Sequence, residues 1–225
     1  MRLNQTRCFR CVGDIPNMIK YGKTKSGNQR YVCRVCRKTR VDNYAYHAYK
    51  LDINQNIIQL TKEGLGIRST ARVLKISTTT LLKRIVSIAR DISKPVISRG
   101  KIYEVDELCT YIRHKKNYIW LVYALEKNSG NVVSFNVGKR TNKTLCRVLD
   151  TLKLSEAKKI YTDRLKNYRY LIEKKLHSVK RFGTNHIERK NLTLRTHLKR
   201  LNRRTICFSK SQIVLISVLK IYFWL

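Results

Sequence analysis

The chain has 225 residues, with 49 Lys and Arg against 14 Asp and Glu, a formal net charge of +35. Its 43% hydrophobic content is enough for a core and argues against whole-chain disorder. Such a basic excess makes nucleic acid the default partner, puts small neutral or cationic ligands far down the list, and still leaves ribosomal protein, repressor and nuclease open.

Four of the seven cysteines form two knuckles, Cys8-x-x-Cys11 and Cys33-x-x-Cys36, with 21 residues between them. A two-residue spacer lets one tight turn aim two thiolates at one ion, so the two pairs predict a tetrahedral Zn2+ site. The stretch between them carries Gly22, Gly27 and Asn28 and reads as a short β-hairpin. Residues 1–45 are thus expected to form a zinc ribbon folded by its metal. Cys109, Cys146 and Cys207 lack paired spacing and are expected to be ordinary core thiols. No apolar secretory stretch occurs in residues 1–20, which with the cysteine usage suggests a reducing compartment such as the cytoplasm.

Residues 46–98 are expected to form a helix-turn-helix DNA-binding domain, since residues 50–90 alternate helical apolar spacing with one sharp break. Ile53, Ile57, Ile58 and Leu60 mark a helix that Gly64 and Gly66 end, Arg68–Leu74 a second, and Lys75-Ile76-Ser77 a turn. Ser77 is a good N-cap for a third helix over Thr78–Ala89, with Leu81, Leu82, Ile85 and Ile88 inward. Thr78, Thr79, Lys83 and Arg84 are then free to face a DNA major groove. A generic helical bundle with a basic face is the rival reading.

From residue 99 onward the pattern is strands, then alternating helix and strand. Ile102–Asp106, Tyr118–Leu125 and Asn131–Val137 form a three-stranded meander, followed by a helix over Thr141–Leu154 and a short strand over Lys159–Thr162. A further helix, a strand at His177–Val179 and a long helix over Ile187–Leu201 complete it. This is the order of a ribonuclease H-like mixed-sheet α/β domain, making the whole chain α+β. In that order the first and fourth strands are neighbours, so Asp106 and Asp163 lie side by side and Glu188 can close a triad. Three carboxylates can hold two Mg2+ or Mn2+ ions at a phosphodiester. Arg195 and Asn191 share a helix face with Glu188 and can contact DNA there. Glu104, Glu107 and Glu173 read as surface charges or salt-bridge members. The apolar run Ile213–Leu225 is too short to span a bilayer and reads as an element packed on the core or on a second subunit.

Val105-Asp106-Glu107, Tyr161-Thr162-Asp163 and Ile187–Arg195 resemble the transposases of the insertion sequence 1 family, as do Leu198–Leu201 and Thr205–Ser211. The resemblance implies a DDE-type transposase with Asp106, Asp163 and Glu188 as the metal-binding triad, and amino-terminal modules that read the element's ends. The implied partners are double-stranded DNA and further copies of the chain, with no membrane and no small-molecule substrate. Family members often carry a second acid after the middle aspartate, then an aromatic; here those positions are Arg164 and Leu165. A catalytically inactive DNA-binding repressor of the element is the alternative, and a nuclease of the same fold acting on RNA–DNA hybrids or junctions is a further rival. A tyrosine recombinase is more distant, because its fold pattern differs.

Overall fold

A computed structural model describes Cys8, Arg10, Cys11, residues 17–41 and residues 46–225. The chain divides into two compact units, residues 1–50 and 51–225. In the first, β1 (Met18–Lys23), β2 (Gln29–Cys33) and β3 (Thr39–Val41) form an antiparallel sheet in sequence order. The expected hairpin is β1–β2. Its third strand arises because the chain reverses at Arg37 (φ 58°), where Cys33 N–H donates to Lys38 O at 2.9 Å. Residues 1–7, 9, 12–16 and 42–45 of the expected ribbon lie outside the described residues.

The second unit opens with α1 (Ile53–Lys62), α2 (Ile67–Val73) and α3 (Thr78–Asp91). The turn before α3 uses Lys75 at φ 53°, and Ser77 Oγ accepts from Thr80 N–H at 3.0 Å, the expected N-cap. The buried stripe of α3 is Leu81, Ile85 and Ala89, spaced i, i+4. Leu82 and Ile88, expected inward, are only half-buried, because they flank that stripe; Leu82 lines a shallow hollow with Val86 and Val214.

A five-stranded sheet follows, in the order β6-β5-β4-β7-β8. Its strands are β4 (Ile102–Ile112), β5 (His114–Glu126), β6 (Val132–Gly138), β7 (Lys159–Thr162) and β8 (His177–Ser178). The first three are the antiparallel meander; β7 joins β4 in parallel, and β8 joins β7 in parallel. The β4–β5 hairpin runs longer than its apolar residues suggest, to a turn at Arg113 with φ 66°. Strand order, mixed direction and the helices between them make this a ribonuclease H-like fold.

On one face, α4 (Asn142–Leu154) and α5 (Lys166–Leu171) close a core of Tyr103, Val105, Val122, Leu145, Leu149, Leu152 and Tyr168. On the other lies α6 (Asn185–His197), then a short 3-10 helix at Lys199–Leu201. The single helix expected over Ile187–Leu201 is therefore broken at Leu198 (ψ 83°). The break lets Leu198 and Leu201 both bury, and Thr110 Oγ1 donates to the Arg200 carbonyl at 2.9 Å. Cys207, expected in the core, is exposed, while Cys109 and Cys146 are half-buried.

The last helix, α7 (Gln212–Trp224), is apolar nearly all round, and such a helix needs cover on more than one side. It packs against α1 and α3, with Lys220 Nζ donating to the Ala89 carbonyl at 3.1 Å. Toward the sheet, Trp224 Nε1 donates to Val132 O at 2.9 Å and Phe223 stacks on Tyr123 at 5.9 Å. The helices α1 and α3 and the five-stranded sheet thus share α7 as common packing. No described helix is long and apolar enough to cross a membrane.

Gly64 ends α1 at φ 77°, and a Cβ there would overlap the carbonyl oxygen of His197 at the end of α6. Gly64→Ala combines left-handed strain with a backbone clash, and is expected to destabilise the chain by about 1–3 kcal/mol, read as a lower urea midpoint at unchanged m-value.

Candidate active site

The register Val105↔Thr162 in the parallel β4–β7 pair puts the residues just beyond it, Asp106 and Asp163, abreast. β7 ends at Thr162, and the chain bends as Asp163 Oδ1 accepts from Leu165 N–H at 3.0 Å. One carboxylate oxygen each from Asp106, Glu107 and Asp163 lies within 4.8 Å of the others.

Helix α6 is tied to this cluster through two hydrogen bonds of Asn191 and through Glu104. Asn191 Nδ2 donates to Asp106 Oδ2 at 2.7 Å, and the Tyr123 hydroxyl, buried in β5, donates to Asn191 Oδ1 at 2.9 Å. That second bond fixes which way the amide points. Two residues before Asp106, the fully buried Glu104 accepts Ile187 N–H at 2.9 Å, with His186 Nδ1 at 2.8 Å and Lys127 Nζ at 3.2 Å from its other oxygen. A carboxylate at this helix N-terminus satisfies an otherwise orphaned donor and suits the helix dipole. Lys127 also donates to Gly183 O at 3.2 Å and lies 4.4 Å over the Tyr161 ring, pinning the entry to α6.

Glu188 is exposed on α6, where Oε1 accepts from Thr184 Oγ1 at 2.8 Å. It is close enough for its charge to act on Asp106, yet it stands outside the three-carboxylate cluster. Arg195, two turns on, is half-buried with its Nε shielded and without a hydrogen-bond partner. Burial and the neighbouring Arg203 charge lower its pKa. Arg164 is exposed.

Glu104 and Glu107 are ion-paired, as one of the sequence readings allowed, but neither is a surface charge. Glu107 pairs with Arg140 at 3.5 Å with its side chain only 1% exposed. Its Oε1 and the Tyr168 hydroxyl it faces both lack a hydrogen bond of good geometry. Glu173 is an exposed partner of Lys175 at 3.2 Å. The available signal for Glu107 is a second acid directly after Asp106 inside a β-strand pattern, between Val105 and Leu108.

Burial pushes the Asp106 carboxyl up to about 6, aided by the charges of Asp163 and Glu188 and opposed by the Glu107 N–H and Asn191. Burial likewise pushes Glu107 up to about 7, with the Asp163 charge adding to it. Like charges this close resist ionising together, and a divalent cation relieves them.

In the first unit the four knuckle thiols gather within 4.8 Å, with Cys8–Cys36 sulfurs 3.6 Å and Cys11–Cys33 sulfurs 3.8 Å apart. Two sulfurs on a tetrahedral zinc, each 2.3 Å from it, stand about 3.8 Å apart, so this set fits that ion. Backbone N–H groups of Arg10 and Cys11 hold the Cys8 thiol down to about 6, whereas donation to Cys36 drives Cys11 up to about 12. On α3, Thr78, Thr79 and Lys83 are exposed; Arg84 is half-buried and donates to Asn54 Oδ1 at 3.1 Å.

The family profile described as IS1 transposase matches residues 101–223, and the one described as InsA C-terminal domain matches residues 44–87. The chain is 37% identical over 110 residues to the insertion element iso-IS1n protein InsB of Shigella dysenteriae, 49% of this chain and 84% of that protein. It is 40% identical over 108 residues to the insertion element IS1 protein InsB of Shigella flexneri, 48% of this chain and 82% of that one. Among solved structures, the HTLV-2 integrase catalytic core domain in complex with magnesium aligns at TM-score 0.36 and 18% identity, over 55% of this chain and 86% of that one.

A carboxyl with a raised folded pKa is protonated in both states at low pH. It loses folding free energy as pH climbs from its unfolded value to its folded one. For Glu107 that window runs from 4.5 to about 7. In EDTA, Glu107→Gln is expected to match wild-type stability near pH 4 and exceed it by roughly 1–3 kcal/mol at pH 7.5. Urea melts at the two pH values check this; a difference independent of pH contradicts it.

Proposed function

The chain belongs to the IS1 transposase family, and from that premise we propose that it cuts DNA at the ends of its own mobile element and joins those ends to target DNA, with Asp106, Asp163 and Glu188 holding the Mg2+ or Mn2+ ions of the reaction. The observation that carries this reading is the gathering of Asp106 and Asp163 at the end of the β4–β7 pair, with α6 docked on Asp106 through Asn191. The donors are all carboxylate oxygens, which suit a hard divalent ion, and the orphaned Glu107 Oε1 leaves unfilled acceptor capacity beside them. Such ions supply Lewis-acid charge to the oxygens of a phosphodiester.

The chain's own residues then divide the remaining tasks. Tyr123 and Asn191 hold the Asp106 carboxylate in one orientation, and Glu104 seats the first turn of α6 so that Glu188 and Arg195 face the same site. The shielded, partnerless Arg195 Nε is a charged donor for which a DNA phosphate oxygen is the fitting acceptor. Cleavage leaves a 3′-hydroxyl end, which attacks target DNA in a second in-line displacement. No tyrosine nucleophile or covalent protein–DNA intermediate is required.

End recognition falls to the amino-terminal modules. Residues 1–45 form the zinc ribbon with Cys8, Cys11, Cys33 and Cys36 as ligands. Residues 46–98 form the helix-turn-helix that offers Thr78, Thr79, Lys83 and Arg84 to the major groove, and residues 99–225 form the catalytic domain with Asn191 and Arg195 on DNA. The +35 charge supplies sequence-independent affinity. Two element ends must be held together, so the active form is a homo-oligomer.

Cleavage and strand transfer are to be measured on DNA carrying the sequences that flank the gene, in Mg2+, Mn2+ and EDTA. Wild type is expected to require metal, and Asp163→Asn to lose about a thousandfold or more in rate with end binding retained. Tight, specific binding by wild type with no cleavage in either metal overturns the reading in favour of a repressor. Removal of zinc is expected to unfold the ribbon and abolish end-specific binding, leaving weak, salt-sensitive affinity in a gel-shift titration. Specific binding that survives full zinc removal contradicts that role for the ribbon.

A further inference from the structure

Glu107 and Asp106 are consecutive in β4, and strand alternation sends their side chains to opposite faces of the sheet. Asp106 faces α6, through Asn191. Glu107 faces the other layer, toward Tyr168 of α5 and toward Arg140 in the segment before α4. Because β7 stops at Thr162, Asp163 sits just past the paired residues, and its carboxylate comes within 4.8 Å of both neighbours.

Two features set Glu107 apart from an ordinary buried ion-pair member. Its side chain is only 1% exposed, yet Oε1 makes no hydrogen bond of good geometry even with the Tyr168 hydroxyl beside the carboxylate, and a shielded carboxylate oxygen so poorly served is costly. The Arg140 contact, 3.5 Å to Oε2, leaves that other oxygen unsatisfied. Arg140 is itself seated 4.4 Å over the Trp120 ring. The guanidinium therefore holds Glu107 by one oxygen, Oε2.

Building on the metal centre proposed above, we infer that Glu107 is a further ligand of the divalent cation site, joining Asp106 and Asp163 from the opposite face of the sheet to Glu188. The cation is of the Mg2+ or Mn2+ class, since every donor is a carboxylate oxygen. Four carboxylates offset the charge of two divalent ions. Arg140 is a positioning residue in this arrangement, orienting Glu107 without touching the ion.

The test is Mn2+ binding to the full-length, zinc-loaded chain, followed through the electron paramagnetic resonance signal of free Mn2+ at pH 7.5. Wild type, Glu107→Gln, Arg140→Ala and Asp163→Asn are compared, with circular dichroism verifying the fold. Glu107→Gln is expected to weaken Mn2+ affinity by about tenfold or more, and Arg140→Ala by less. If Glu107→Gln binds as wild type does while Asp163→Asn is weakened, Glu107 serves only to tether Arg140 and the inference is overturned. If Asp163→Asn is also unchanged, the metal-centre reading itself falls with it. Should the Gln variant not fold, Glu107→Ala is measured against the same two outcomes.

Discussion

Parallel pairing between β4 and β7 is the constraint on which the remainder of the site depends. Val105 and Thr162 are 57 positions apart in the chain but lie next to each other in the sheet only because α4 crosses over one face. A parallel connection needs such a crossover, and the apolar stripe of α4 buried against Val105 and Val122 supplies the packing that holds it. From that register alone, two acids from distant parts of a very basic chain meet at one sheet end. A one-residue slip of β4 would turn Asp106 to the other face, and a slip of β7 would carry Asp163 out of line with it.

The meeting is electrostatically unfavourable by itself, which makes the surrounding neutral and positive groups informative. Asn191 and the Glu107 N–H support the ionised form of Asp106, while burial and Asp163 oppose it. Tyr123 and Glu104 contribute differently: they bind α6 to the sheet through neutral or fully satisfied hydrogen bonds and so fix the helix without cancelling the local negative charge. Lys127 neutralises Glu104 rather than the cluster. The result is a negative pocket in a strongly positive protein, with the basic surface suited to phosphates and the pocket to cations. That division is what a phosphodiester and its counter-ions require of a protein.

Much of this was legible in the sequence, for identifiable reasons. The meander follows from dense apolar runs punctuated at Gly130, the third helix of the helix-turn-helix from the Ser77 cap and the inward Leu81 and Ile85, and the adjacency of Asp106 and Asp163 from the order of elements. The break in α6 was hidden because Leu194, Leu198 and Leu201 keep helical spacing across it. Glu104 gave no sign of full burial, since the helix start that covers it lies more than eighty residues away. Glu107 was the least accessible, because period-two alternation points it away from Asp106. Only the early end of β7 lets Asp163 reach both. The absence of a paired cysteine also gave no warning that Cys207 is exposed, in the loop after the 3-10 helix.

The account stands on the claim that the carboxylates of β4 and of the β7 end are a divalent-metal site. The most direct measurement is a crystal structure of the chain grown in Mn2+, with anomalous diffraction collected at the manganese edge. The account predicts an anomalous peak about 2.2 Å from carboxylate oxygens of both Asp106 and Asp163. A well-ordered cluster with no manganese between those two residues would contradict it.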